Sequence, residues 1–440
     1  MRPYGGPVCP CERRTLDAGG AAVHVVTRSF GTAAADAAWL VLQHGVSDPP
    51  VIRRGLALFH ATGADVVGPG ATGYLENRER VHTGNGGHSP STTPDVRDTQ
   101  DGGPFHAGEL SVQERAGVRA SAERVARIIG PTIPPAAAGF LGAVRTVAAG
   151  AADDAGRVWA TLLVGPPGFL EPTPERLHVA ARPVVGDALH AVLTPPGRPG
   201  GARPPLHRPP PVAPVPVGLT AIDLASRRRM RVNGTLAADD RGDRPGFAVA
   251  VEEAYGNCPK YIQARTLLPA SATAPEAADV PDETGGSTRV ALSDAQRAWL
   301  RSADTAFVAS VGPAAGEAHG RADASHRGGA PGFLAAVGAR QVLLPDYAGN
   351  SMFNTLGNLA ADPRVGLAVP DFATGRLLQL SGTAAVDWRA EVAATFPGAE
   401  RLVVIHVEHV REVAGALPAG WSAPEPSPFN PRPPRPGARG

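Results

Sequence analysis

Two stretches of this chain occur twice. Residues 156–170 read GRVWATLLVGPPGFL and residues 320–334 read GRADASHRGGAPGFL, identical at eight of fifteen positions at a single offset. Residues 217–237 (VGLTAIDLASRRRMRVNGTLA) and 365–385 (VGLAVPDFATGRLLQLSGTAA) agree at nine of twenty-one, again without a gap. Self-similarity that keeps its order and spacing marks a duplicated structural unit. Phe140 and Phe307 open the two matched stretches at nearly equal distances upstream. A chain of 440 residues has room for two to three domains, and two of them are expected to share one design.

Local patterning says what that design is. Val158–Val164, Leu177–Ala180, Phe247–Val251, Ala306–Val311 and Leu402–Val407 are short β-rich runs broken by Gly and Pro. Ser111-Val-Gln-Glu114 and Ser293-Asp-Ala-Gln296 are capping-box patterns, each predicting a helix ahead of one copy. After the first, Val118, Ala122, Val125, Ile128 and Ile129 fall on roughly one helical face. The expected class is mainly β with flanking helices (α+β): two tandem small antiparallel barrels rather than a parallel α/β sheet.

Composition sets the boundaries. Residues 82–104 are polar and rich in Gly, Ser and Pro, 195–216 are a proline tract, 269–288 are acidic and flexible, and 423–440 are proline-rich. These predict an N-terminal extension over 1–103 of undetermined fold and partly disordered. A first repeat follows over 104–268 with a Pro-rich insertion at 195–216, then a linker over 269–288. The second repeat takes 289–422, and 423–440 form a disordered tail.

Several function classes fall away. With 42 basic against 41 acidic side chains, the net charge of +1 gives no global attraction to nucleic acid or a membrane surface. Lys260 is the only lysine beside 53 Gly and 46 Pro, so arginine richness reflects composition rather than an arginine-specific role. Cys9, Cys11 and Cys258 are too few for a disulfide framework or a thiolate metal site, and no metal is expected. No apolar run approaches the roughly 18 residues of a membrane span. The first residues lack the apolar core of a secretory signal, so the expected setting is cytoplasmic. Gly68-Pro-Gly-Ala-Thr-Gly73 has the spacing of a dinucleotide loop, with Asp95 beyond it. No second strand follows to complete a βαβ unit.

The copies differ between their matched blocks, where the second has LLPDYAGNSMFNTLGNLAADPR and the first has the proline tract. The second copy is therefore expected to be the ligand-binding half. Arg321, Ser325, His326 and Arg327 alternate along a strand-like run, and Asn350, Ser351, Asn354, Thr355 and Asn358 follow. Guanidinium forks completed by amide and hydroxyl groups suit a phosphate monoester.

The order of these pieces resembles the FMN-binding split barrel of the pyridoxamine 5′-phosphate oxidase-like family. Its elements match Gly320-Arg321, Leu343–Tyr347, Asn350–Leu359 and Asp362-Pro363-Arg364-Val365-Gly366-Leu367. The first copy is similar to the family's flavin-nucleotide-binding branch. The pieces there are Phe105-His106-Ala-Gly-Glu109, Gly156-Arg157-Val158-Trp159, residues 227–234 (RRRMRVNG) and residues 256–263 (GNCPKYIQ). The resemblance covers residues 104–415. It implies FMN held between two barrels, either within one chain or across a homodimer. Cofactor contacts are implied for Arg321, Asp323, Ser325, His326, Arg327, Pro345, Asp346, Tyr347, Asn350, Ser351, Asn354, Thr355, Asn358 and Gln379.

The resemblance also implies an FMN-dependent oxidoreductase, passing hydride through flavin N5 on a small substrate, with oxygen or an external electron donor as partner. The family's Arg-Lys pair is Asn354-Thr355 here and its C-terminal Arg-Leu-x-Pro motif is missing, so vitamin B6 phosphate oxidation is not expected. Two alternatives stand on the same barrel: a flavin- or haem-binding carrier or sensor without turnover, and a deazaflavin-dependent reductase. A haem would need an axial ligand such as His326, His406 or His409. His326 is the candidate for a proton donor. Cys258 beside Lys260 is read as structural in the first instance and as a reactive thiol in the second.

Overall fold

The computed structural model describes residues 11–17, 22–28, 103–194, 214–238, 246–268, 288–313 and 320–431. The chain divides into two units, Met1–Asp98 and Thr99–Gly440. In the first, strands β1 (Cys11–Asp17) and β2 (Ala22–Arg28) form an antiparallel pair. The glycine motif at 68–73 and Asp95 lie outside the described residues, as do 195–213, 269–287 and 432–440.

The second unit holds two seven-stranded antiparallel sheets. Helices α1 (Ala107–Arg115), α2 (Arg119–Ala126) and α3 (Pro135–Ala143) lead into β3 (Thr146–Ala152), β4 (Val158–Val164), β5 (Leu170–Pro172) and β6 (Arg176–Val179). Strands β7 (Pro216–Asp223), β8 (Arg228–Ala237) and β9 (Phe247–Asn257) complete that sheet. Helix α4 (Asp294–Ser302) opens the second copy, followed by β10 (Thr305–Gly312), β11 (Arg321–Gly328), β12 (Ala335–Val337) and β13 (Gln341–Tyr347). Helix α5 (Asn354–Ala361), β14 (Arg364–Asp371), β15 (Arg376–Asp387), the short α6 (Ala390–Ala393) and β16 (Ala399–Val413) follow.

The strand orders, β4-β3-β7-β8-β9-β6-β5 and β11-β10-β14-β15-β16-β13-β12, correspond strand for strand. The repeated sequence blocks are β4 with β11, and β7-β8 with β14-β15. Local devices repeat as well. Each sheet has a register shift at its long hairpin, at Asn233/Gly234 and at Ser381/Gly382. A Cβ on either glycine would lie within 2 Å of a carbonyl across the hairpin, so only glycine fits. The shared Pro-Gly-Phe-Leu turn places Gly168 and Gly332 at φ of 87° and 93°.

Two sequence expectations need correction. Phe140 lies on α3 and Phe307 on β10, so they are not equivalents. The true starts are Thr146 and Thr305, which face Val164 and Gly328 across their hairpins; a longer hairpin in the second copy breaks the gapless count. The first helix does not begin at Ser111. His106 caps it: its Nδ1 accepts from the Gly108 amide, and Glu109 accepts from the His106 amide. Ser111 sits inside α1 because the helix must start early enough to cross α5. A Cβ on Gly108 would lie 2.3 Å from the Gly357 carbonyl oxygen, so the backbones nearly touch. The Ser293/Gln296 box forms as expected.

The two sheets pack on each other with approximate two-fold symmetry. Ala148, Ala160 and Leu162 of the first meet Phe307, Ala309 and Ala368 of the second in one buried cluster. A Cβ on Gly218 would lie 2.5 Å from Cα of Asp323, and one on the equivalent Gly366 would lie 2.6 Å from Cα of Trp159, itself the equivalent of Asp323. Each barrel keeps its own core as well, around Val147, Leu177 and Phe247 in one and Val308, Leu367 and Ile405 in the other. The segment expected to be a disordered tail is fastened over residues 423–431. Glu425 bridges to Ala264, the Ser427 amide donates to Gln263, and Arg227 donates to the carbonyls of Glu425 and Pro426. Buried donors and acceptors on the barrel find backbone partners there. Among the described residues no helix is long and apolar enough to cross a membrane.

Candidate functional site

A cleft of about 160 Å³ lies between the barrels and draws on both. Arg229 and Arg231, two apart on β8, share a face and enter from the first barrel. The turn after β9 adds Cys258, Lys260 and Tyr261. The second barrel contributes His326 and Arg327 at the end of β11, the loop after β13, and Phe353 to Leu356 at the start of α5.

Charge is concentrated there. Arg231, 6% exposed, makes an ion pair with Asp323 at 3.2 Å and donates to Asn354 at 2.8 Å. Burial opposes its charge, but Asp323 and Tyr255 outweigh burial and hold its pKa above the usual range. Arg327 faces Asp346 at 3.4 Å. Among the described residues Arg229 has no carboxylate in contact: it donates to the Cys258 carbonyl, and to the ring and carbonyl of His326. Burial, with the charges of Arg231 and Arg327, pushes it down to about 9. Among the described residues, three buried nitrogens of cleft-lining side chains have no hydrogen-bond partner: Nε of Arg231, Nε of Arg327 and Nε2 of His326. Unpaired buried donors are rare in folded proteins; others sit on Trp299 and Arg401, but these three nitrogens share one cleft.

Backbone strain gathers at the same place. Tyr261, Ser351 and Phe353 have φ of 65°, 65° and 60°, a left-handed conformation that costs about 1–3 kcal/mol for each such residue. A strap crosses the mouth. Tyr261 donates its hydroxyl to the Ala348 carbonyl at 3.0 Å, the Tyr261 and Tyr347 rings lie 5.1 Å apart, and Asn350 donates to Asn257.

Nine of the fourteen sequence-predicted residues line this cleft: His326, Arg327, Pro345, Asp346, Tyr347, Asn350, Ser351, Asn354 and Thr355. Five do not. Alternation puts Arg321, Asp323 and Ser325 on the same face of β11 as Arg327, but they are spent on internal partners. Arg321 is held by Glu253 at 2.6 Å, Asp323 by Arg231, and Ser325 by Thr355 at 2.9 Å. Asn358 is buried between His106 and Ser310. Gln379 sits at the symmetry-related position of Arg231 and so faces the other barrel, donating to the Ala160 carbonyl and accepting from the Ala188 amide.

That second, symmetry-related cleft is filled. Trp159 replaces Asp323, and Leu162 and Leu377 replace His326 and Arg229 in a closed apolar contact. Residues 187–193 take the place of α5, with Leu189 and Leu193 fully buried and Thr161 donating to Asp187. Behind the open cleft lies a buried polar chain. Arg231 donates to Asn354, which donates to Glu109 at 2.6 Å. Burial pushes the Glu109 carboxyl up to about 7, and Glu253 adds to the effect against the hydrogen bonds from His106 and Asn354.

Sequence reasoning missed Arg229, Arg231, Tyr261 and Phe353. The first three lie in stretches that carried the family resemblance, but they were credited to the first copy rather than to a cleft shared with the second. No cluster of three His, Cys, Asp or Glu among the described residues is placed to hold a metal ion.

Comparison with known proteins places the second copy. Residues 292–418 match the family model for pyridoxamine 5′-phosphate oxidase. Among solved structures, HupZ of Group A Streptococcus is 15% identical over 29% of this chain and 99% of its own, with a TM-score of 0.23. A candidate pyridoxamine 5′-phosphate oxidase from Lactobacillus delbrueckii is 15% identical over 27% of this chain and 93% of its own, with a TM-score of 0.23. The Bacillus subtilis inhibitor of motility MotI/DgrA is 8% identical over 61% and 88% respectively, with a TM-score of 0.17. No curated protein matches the chain.

Proposed function

Because the second barrel belongs to the pyridoxamine 5′-phosphate oxidase-like split-barrel family, we propose that the chain is an FMN-dependent oxidoreductase with its flavin in the inter-barrel cleft. One observation carries the reading: the three unpartnered buried N–H groups beside Arg229, a guanidinium without a carboxylate in contact. A donor set with that surplus of positive charge fits the phosphate of FMN, which offers acceptors alone. Bound FMN would supply hydride transfer at N5. The chain's own groups would anchor and enclose it. Arg229, Arg231 and Arg327 orient the anion, while Tyr261, Tyr347 and Phe353 give the outer cleft its apolar walls.

The cavity of about 160 Å³ is smaller than the roughly 300 Å³ at which drug-sized ligand pockets begin. It takes the anionic end of the cofactor, and the ring system then requires the 257–261 and 347–351 strap to open. Vitamin B6 phosphate oxidation is not proposed, because Asn354-Thr355 replaces the family's basic pair. His406 is exposed on β16, and His409 lies 6.3 Å from the Trp159 ring; neither lines the cleft. The test is the visible spectrum of protein purified without added cofactor, with mass analysis of what heat releases. Flavin bands and released FMN support the proposal; a colourless protein that also refuses added FMN refutes it.

A further inference from the structure

His326 has a chemistry fixed by its neighbours. Its Nδ1 lies 3.1 Å from Nη1 of Arg229, which also approaches the His326 carbonyl at 3.2 Å. A guanidinium has donors and no acceptor. Nδ1 must therefore accept, and the single proton of the neutral ring resides on Nε2. Burial, followed by Arg229, Arg327 and Arg265, holds the imidazole well below its ordinary range. The charged groups turned toward it from β8, β11 and the segment after β9 are all cations. The carboxylates paired with two of these cations, Asp304 and Asp346, are engaged by Arg265 and Arg327, and from β10 the Phe307 ring stands edge-on at 5.6 Å.

The remaining polar atom of the ring is Nε2. It is buried without a partner, in a residue 4% exposed that lines the cleft. The filled cleft across the pseudo-two-fold has Leu162 and Leu377 at these two positions, so the Arg–His pair occurs where the cleft is open.

We propose that Arg229 locks His326 as its Nε2–H tautomer, making the ring a neutral hydrogen-bond donor to an acceptor oxygen of the ligand in the inter-barrel cleft. The donor half rests on the reading of that cleft as a cofactor site; the tautomer half does not. Two consequences follow. His326 is not a general acid near neutral pH, because it has no second proton to give. It is also unsuited to axial ligation of haem, where the free ring nitrogen must present a lone pair and the other ring N–H must donate to a protein acceptor.

Long-range proton–nitrogen correlation on the full chain with nitrogen-15-labelled histidine tests both halves, with His326→Gln assigning the signal. The expected result is a protonated Nε2 and an unprotonated Nδ1 from about pH 6 to 8.5. FMN is expected to shift the Nε2–H resonance. If inorganic phosphate alone also shifts it, the acceptor is a phosphate oxygen; if only FMN does, the acceptor lies elsewhere on the flavin. A proton on Nδ1, or an imidazolium in that range, overturns the lock. Flavin binding that leaves Nε2–H unmoved overturns the donor role. If neither FMN nor phosphate binds, the donor role falls with the cleft reading, while the free protein still decides the tautomer. Affinities give a second test: Gln places an N–H near the Nε2 position and Asn near Nδ1. FMN binding by His326→Gln should stay within about 3-fold of wild type and that of His326→Asn should fall about 10-fold. The opposite order contradicts the proposal.

Discussion

Glu109 offers a quantitative test of the buried chain behind the cleft. Its side chain lies under the α1–α5 crossing, 3% exposed, and accepts from the His106 amide at 2.9 Å and from Asn354 at 2.6 Å. Burial outweighs both bonds and moves its pKa from 4.5 to about 7. An acid raised on folding contributes stability that is complete below its unfolded value and is lost as pH climbs through its folded value. Between about pH 4.5 and 7 the wild-type chain should lose about 3 kcal/mol from this group. Glu109→Gln removes the titration. The His106 amide and Asn354 address different oxygens of the carboxylate, and Gln puts an NH2 in place of one of them, so it also forfeits a hydrogen bond at every pH, costing about 1–2 kcal/mol. The variant should therefore be the less stable protein near pH 4.5 and the more stable one near pH 8. The difference between the two proteins should swing by about 3 kcal/mol over that range. Urea unfolding at both pH values, followed by tryptophan fluorescence, measures the swing. A difference that stays constant within about 1 kcal/mol would show that Glu109 is not desolvated as described.

Two further predictions concern the pairing of the barrels. Gly218→Ala drives a methyl group against the Asp323 backbone and Gly366→Ala drives one against the Trp159 backbone. Each should destabilise by about 1–3 kcal/mol or more; thermal melts in which either is neutral would break the two-fold argument. Because Trp159, Leu162, Leu189 and Leu377 fill the second cleft, flavin titration should saturate at one per chain. Saturation at two would show that the filled cleft opens.

Much of the fold was readable from the repeat, because glycines at bulges and turns, such as Gly234 with Gly382 and Gly168 with Gly332, are fixed by backbone geometry. The helix start was misread because Ser111-x-x-Glu114 is a local pattern. The true start at His106 is set by a crossing with α5, some 250 residues away in the chain. The site was half legible for a related reason. Residues of the second copy were picked out by chemistry, but a cleft between pseudo-symmetric barrels takes one wall from each. Arg229 and Arg231 therefore belong to the second copy's site, while Gln379, on the equivalent strand, serves the first. Arg321, Asp323 and Ser325 have the right chemistry, yet periodicity along a strand does not reveal which polar groups are already paired.

The central claim is that a cationic cleft shared by two barrels holds a flavin by its phosphate. Parallel titration of the protein with FMN and with riboflavin, which lacks the phosphate, tests it most directly. Charge-assisted hydrogen bonds contribute about 1.5–3 kcal/mol, so FMN should bind about 10- to 100-fold more tightly. Arg229→Met should close most of that gap. Equal affinities for the two flavins, or no binding of either, would contradict it.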